Sequence, residues 1–411
     1  MIRQELKKLI LYAFVLAILI LPMLGFRGPS FEARRALTTL GVFVAVLTLN
    51  FIVKIVRGQH DDGVEIHKEP WSDRIINQID RVPKVFTLGG LLAVLLVFPQ
   101  VANNYMIDVG ITCLIYVALG LGLNIVVGLC GLLDLGYIAF YAVGAYTYSL
   151  LNLTFGLSFW TALPIGIVLG MICGCIIGYP TLKMRGDYLA IVTLGFGEII
   201  RLVLNNWDEL TAGPNGLFGM DKPTLPLPAF NEAGFTFISF PLKSLPALYY
   251  FILVIATLTI IGVRRLDNSR IGRAWIAIRE DETAAELSGV PTTWIKLLAY
   301  ALGAAFASVA GAFFAAKLSY TNPNFFLFME SCIVLCIVVL GGVGSIPGIV
   351  VAALILIAVP EVFRELENYR MLAFGGIMTT MMVLKPDGLI PASRKRRQIK
   401  ETQMIEASKE S

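Results

Sequence analysis

The chain has 411 residues, of which 57% are hydrophobic and 15% charged, with a formal net charge of +4 and a mean hydropathy of +0.76. A soluble domain of this size carries about a quarter charged residues, and so small a basic surplus gives nucleic acid nothing to hold. The charges are also segregated: only Asp134 lies between Val109 and Leu182, and only Lys317 and Glu330 lie between Leu297 and Pro360. A bilayer-crossing helix needs about 20 mostly apolar residues, so the first of these windows has room for three. A transmembrane β-barrel would alternate apolar and polar residues in short segments, and these runs do not. The fold class read from the chain is all-α, a polytopic membrane protein in contact with the lipid bilayer.

In chain order, Lys7 and Lys8 precede eighteen uncharged residues, Leu9 to Phe26. No small-residue cleavage site follows, so this reads as a retained first span rather than a signal peptide. Candidate spans then run 9–26, 37–53, 85–101, 109–129, 132–151, 159–179, 188–204, 245–263, 297–316, 325–342, 346–360 and 371–384. Several are shorter than a full crossing, so about 10–12 transmembrane or re-entrant helices are expected. Basic residues crowd the loops 54–84 and 264–296 and the tail after Lys385, whereas 205–244 holds only Lys222 and Lys243. Lysine and arginine mark the cytoplasmic side, which places both termini in the cytoplasm and 205–244 outside. Arg27, Arg34 and Arg35 fall outside in this topology and do not suit it. The outer stretch, "TAGPNGLFGMDKPTLPLPAF", reads either as an ordinary connector, for which it is long, or as a proline-stiffened docking or gating surface.

Two apolar runs are interrupted by glycine: "GLCGLLDLG", with Gly128, Gly131 and Gly136, and "GGVGSIPG", with Gly341, Gly342, Gly344 and Gly348. Backbone groups freed there must face protein or a water path, and paired broken helices in a transporter point to its translocation site. Close helix packing would use the same glycines. An ionised side chain at the bilayer centre costs roughly 2.5–3.5 kcal/mol, so each needs a partner. Asp134 lies within the first break. Glu198 and Arg201 stand three apart on one helix face and can neutralise each other, either as a structural pair or as a contact to a zwitterionic solute. Glu330 and Lys317 lie at the ends of apolar runs, within snorkelling reach of an interface. Asn124, in "GLGLNIVVG", can hydrogen-bond between helices. With Asp134, Glu198, Arg201 and Glu330 it completes the translocation-pathway candidates.

Catalytic signatures are missing. No Gly-Lys dipeptide occurs, so no phosphate loop exists and the chain cannot hydrolyse ATP by itself. The six cysteines fall in or beside apolar runs and read as packing residues. His60 and His67 sit in a polar loop, and no residue set has metal-ligand spacing. Catalytic and metal sites are therefore expected to be absent.

One polar stretch stands out. "GRAWIAIREDETAAELSGV", 272–290, places six charges in nineteen residues. Asp281 can cap a helix starting at Glu282, and Gly289 before Pro291 stops it, so two short helices with a bend at Arg279 to Asp281 are expected. Trp275 and Ile278 would share one exposed side. The acids Glu280, Asp281, Glu282 and Glu286 disfavour a seat on anionic lipid and favour docking to a cytoplasmic protein.

Glu282-x-Ala284-Ala285-x-x-x-Gly289 resembles the "EAA…G" coupling loop of bacterial ABC importer permeases. The stretches "LGLNIVVGLCGLLDLGYIAFYAVGAY" (119–146), "RGDYLAIVTLGFGEIIR" (185–201), "GPNGL" (213–217), "SRIGRAWIAIREDETAAELSG" (269–289) and "LGGVGSIPG" (340–348) are together similar to the LivM-type permease subunits of branched-chain amino-acid ABC importers, across about residues 90–390. The resemblance implies three regions: an N-terminal extension at 1–85 with two transmembrane helices and a basic cytoplasmic loop, a permease core at 86–390, and a polar cytoplasmic tail at 391–411. It implies a related second permease, two cytoplasmic ATPase subunits that bind ATP and Mg, and a periplasmic amino-acid-binding protein, in the bacterial inner membrane. It further implies ATPase contact through Arg273, Trp275, Arg279, Glu280, Asp281, Glu282, Ala284, Ala285 and Gly289, with leucine, isoleucine and valine as solutes. An ion-coupled secondary transporter, using the intramembrane acids, is the alternative; a membrane-embedded enzyme lacks the acid clusters it would need.

Overall fold

The computed structural model describes residues 95–362 with brief gaps, residues 26–27 and 30–31, and a few residues between 375 and 390. Two compact units divide at residue 75: Met1–Ile75 and Ile76–Ser411. In the first, strands β1 (Phe26–Arg27) and β2 (Ser30–Phe31) pair antiparallel. The candidate spans 9–26 and 37–53, the two histidines and the tail beyond 390 lie outside the described residues, as do most of spans 85–101 and 371–384.

The second unit is helical. Helix α1 (Asn104–Leu123) runs into a π-helical turn, Asn124–Leu129. There follow α2 (Ile138–Phe155), α3 (Phe159–Thr181), α4 (Asp187–Asn206) and a short α5 (Asp208–Thr211). After the outer loop come α6 (Leu245–Asp267), the short α7 (Arg270–Glu280) and α8 (Glu282–Leu287), and α9 (Thr292–Leu318). The last described helices are α10 (Phe328–Gly341) and α11 (Ile346–Val362). Among the described residues, six helices are long and apolar enough to cross a membrane. This is an all-α polytopic membrane protein, as composition requires.

Several helix boundaries differ from the sequence expectation, and the outer loop carries strands. The span expected at 132–151 begins only at Ile138, because residues 130–137 form the glycine break. Helix α9 begins at Thr292 rather than 297, so Lys296 lies inside a helix and not in a loop. The outer loop is not plain coil: β3 (Leu217–Phe218) pairs with β6 (Tyr320–Thr321), and β4 (Thr224–Asn231) pairs with β5 (Gly234–Pro241) in a hairpin. Asn322 ties this region down by donating from Nδ2 to the Pro214 carbonyl at 2.7 Å.

Small residues bring the central helices together. Gly166, Gly170, Gly174 and Gly178 recur every fourth residue on α3. A Cβ at Gly174 would lie 2.8 Å from the Tyr300 carbonyl of α9, and one at Gly170 would run into Ser308. Across the facing groove, Gly144 of α2 abuts the Ser308 backbone and Gly311 of α9 abuts Tyr141. Lipid tails provide no hydrophobic drive between helices, so close backbone approach and dispersion hold such a bundle. Ser308 adds one interhelical bond, donating to the Phe140 carbonyl at 3.1 Å. The six cysteines are free, and Cys113 and Cys130 are buried in this core.

Candidate functional site

The two glycine breaks, separated by more than two hundred residues, are joined. Asn124, wholly buried in the π-turn, accepts from the Gly344 backbone N–H at 2.9 Å. A side chain on Gly128 would strike both Asn124 and the Gly344 nitrogen, so glycine is required for the approach. The π-turn closes with bonds wider than the α-helical step, Cys130 N–H to the Ile125 carbonyl at 3.2 Å and Leu132 N–H to the Val126 carbonyl at 3.0 Å. Such single π-turns interrupt the regular ladder and often mark functional positions.

Each break has its freed backbone satisfied by protein, as burial demands. In the first, the Gly128 carbonyl accepts from Arg279 Nη1. In the second, the carbonyls of Leu340 and Gly341 accept from Leu389 (2.8 Å) and Ile390 (3.2 Å). Gly341 and Gly348 face each other across the gap between α10 and α11: a Cβ on Gly341 would lie 2.6 Å from the Gly348 carbonyl carbon. Gly342 (φ 107°) and Gly344 (φ 87°) hold the left-handed turn between these helices.

Asp134 is buried within the first break. It is 1% exposed, and its Oδ1 accepts from the Gly136 N–H at 2.8 Å. The neighbouring Leu135 N–H donates to Thr193 Oγ1 of α4 at 3.0 Å. Tyr137 donates to the Gly303 carbonyl of α9 at 3.0 Å, and Ser331 of α10 caps α2 by accepting from the Ile138 N–H at 3.1 Å. The interruption (130–137) is thus bound to α4 and α9, and the first residue of α2 to α10. Sequence alone singled out neither Thr193 nor Ser331, since a hydroxyl in an apolar run carries no signal of its partner.

The polar stretch folds into the two expected helices, α7 and α8, with Asp281 as their hinge. Its carboxylate accepts from the Ala284 N–H at 3.0 Å, capping α8. Gly289 (φ 85°) supplies the left-handed stop, with open space around it. The expected exposure of Trp275 and Ile278 is corrected. They are 0% and 5% exposed, and Trp275 Nε1 donates to the Ile295 carbonyl of α9 at 2.7 Å. Trp275 is therefore an anchor of the elbow, not a contact it offers outward, because an indole packed against α9 buries far more area there. Ala285 is likewise buried. Lys296, 5% exposed at its side chain, pairs with Glu282 at 2.5 Å and fastens α8 to α9.

Arg279 bridges elbow and break. Beyond its bond to Gly128, its Cγ lies where a Cβ on Gly131 would come within 2.7 Å, and Gly131 holds φ 78°. The elbow leaves exposed Arg270, Arg273, Arg279, Glu280, Asp281, Thr283, Ala284, Glu286, Ser288, Gly289 and Leu287, the last 85% exposed, beside Trp294 at 74%.

The remaining candidates do not join this cluster. Glu198 and Arg201 pair with each other on α4 as their spacing requires. Glu330 accepts from Tyr116, and Lys317 pairs with Asp108 at 2.8 Å, so each has a protein partner.

Residues 105–384 match the family described as branched-chain amino acid transport system, permease component. The chain is 45% identical over 372 residues, 87% of each protein, to the high-affinity branched-chain amino acid transport system permease protein LivM of Escherichia coli K12. It is 44% identical over 331 residues, 78% of each, to LivM of Salmonella typhimurium. It is also 24% identical over 290 residues to LivH of the same Salmonella strain, covering 67% of this chain and 91% of that permease. No solved structure matches it. The chain belongs to the family of branched-chain amino acid transport permeases.

Proposed function

We propose that this chain is one of two related permeases of an ATP-driven importer in a bacterial inner membrane, passing leucine, isoleucine and valine from a periplasmic binding protein into the cytoplasm. Two cytoplasmic ATPase subunits, which bind ATP and Mg, dock on the exposed surface of α7 and α8 and move it as they close. The observation that carries this reading is the run of contacts from Arg279, on the helix that Trp275 anchors to α9, through Gly128 and Asn124 to Gly344. A displacement of the elbow is transmitted to both helix breaks without crossing a flexible segment. Packed interiors switch between discrete arrangements rather than deforming smoothly, so a modest push can shift the permease between inward- and outward-facing states. The ATPases shift that equilibrium only by binding its two forms unequally.

The orientation follows from the basic loops: α7, α8 and both termini face the cytoplasm, and the β4–β5 hairpin faces the binding protein. The test is reconstitution into vesicles with the second permease, the ATPases and the binding protein. Vanadate-sensitive leucine uptake that requires every component is expected. Accumulation by this chain alone, collapsing with an ionophore while ATP remains, would overturn the reading.

A further inference from the structure

Helix α4 is attached to the rest of its chain by a narrow strip. Only 11% of its most apolar 18-residue window is buried, against 33% for α3 and 67% for α9. Leu189, Ala190 and Thr193 are its buried residues, and Gly197 abuts Gly136. Phe196 and Leu204 are half-buried against the core, whereas Tyr188, Ile191, Ile199, Leu202 and Val203 are exposed and a Cβ on Gly195 would meet nothing.

The bare faces of α3 and α4 differ in chemistry. On α3 the exposed residues Ile165, Val168, Leu169, Ile172 and Ile176 are all apolar, as a lipid-facing surface should be. On α4 the apolar surface is broken in mid-span by Glu198 and Arg201, whose side chains are 39% and 19% exposed. Their mutual pairing lowers the cost of each charge but does not remove its desolvation. Both recorded bonds from Arg201 fall on Glu198 Oε1, and no other bond to either side chain is made among the described residues. Lipid tails offer neither a donor for Glu198 Oε2 nor an acceptor for Arg201 Nη1.

We infer that the open face of α4 is the seam on which the second, related permease chain packs, with Glu198 and Arg201 enclosed at that contact. The inference rests on the two-permease reading above. The occupant must itself span the membrane, since the bare face runs the length of a 20-residue helix, about 30 Å. It must also present polar groups at mid-span. A permease of this same family meets both demands, and the Salmonella typhimurium relatives LivM and LivH, both similar to this chain, show that one organism carries two such permeases.

A photo-activated cross-linking amino acid placed at Ile191, Ile199 or Leu202 on α4, and at Val168 or Ile172 on α3, tests the assignment in membranes holding the whole complex. Adducts of this chain with the second permease are expected from the α4 positions, with lipid adducts alone from α3. Lipid adducts from α4, a cross-link to a second copy of this chain, or permease adducts from α3 would each overturn it. Co-purification separates the two levels. If the second permease is recovered with unmodified chain yet cross-links only from α3, the seam is wrong and the two-permease reading stands. If it is never recovered, that reading fails first. A Glu198→Leu/Arg201→Leu double variant should keep membrane insertion but lower recovery of the second permease several-fold; unchanged recovery would place the pair against lipid.

Discussion

Single residues at the junction of elbow and break are held by two requirements at once, and their replacement separates folding from coupling. Gly131 needs both a positive φ and an empty Cβ position beside Arg279. Gly131→Ala adds a left-handed penalty of about 1–2 kcal/mol and a clash on the arginine, so leucine uptake should fall at least tenfold while the chain still inserts. Uptake assays normalised to membrane content check this. Asn124→Ala removes the acceptor of the Gly344 N–H and leaves that donor buried, at a cost of about 1–3 kcal/mol. The thermal midpoint of the detergent-solubilised chain should drop measurably; an unchanged midpoint would mean that the two breaks are not energetically joined through Asn124. The glycines and Asn124 stand out in the sequence because they interrupt apolar runs. That Asn124 and Gly344 are partners does not, since the spacing between them says nothing of which helices adjoin.

At the scale of elements, α7 and α8 carry two faces with opposite roles. Trp275 anchors the inner face, and Trp275→Ala should cost about 3–5 kcal/mol through the cavity it leaves. Leu287 and Trp294 lie on the outer face, so Leu287→Ser combined with Trp294→Ser should leave the thermal midpoint within a degree or two. The same pair should weaken capture of the ATPases and depress uptake. Loss of stability with normal ATPase capture in that outer-face variant would contradict the division of faces. The sequence revealed both short helices and their cap, since Asp281 and Gly289 act locally through their own backbone neighbourhoods. It misjudged which side was hidden. Two helices this short bury whatever the adjoining α9 covers, and α9 lies outside the local pattern.

For the whole molecule, the proposed topology rests on the segregation of charge. Single cysteines introduced in a cysteine-free chain at Ser288 and at Asn215 should react with impermeant thiol reagents from opposite sides of the membrane, Ser288 only when the cytoplasmic face is open. Labelling of both from one side would invalidate the orientation. The bundle itself is organised by small residues, with the α3 glycine stripe seated on α9 and the gaps between broken helices filled by backbone-to-backbone contact. Its interior leaves the two glycine breaks as the places where regular helix is given up; Asn124 joins them to each other, and Arg279 ties the first to the elbow.

The sequence by itself determined that the chain is helical and membrane-embedded, and that one charged segment folds as a capped helical elbow. These follow from composition, residue type and short-range spacing, which act wherever the segment ends up. Tertiary structure alone decided that Asn124 meets Gly344, that Arg279 braces the first break, that Trp275 faces inward, and that α4 stands nearly bare with its ion pair outward. In an apolar bundle most helix faces are equally greasy, so the sequence carries little amphipathic record of its neighbours; contact is chosen by shape and by the few polar groups that must find one another.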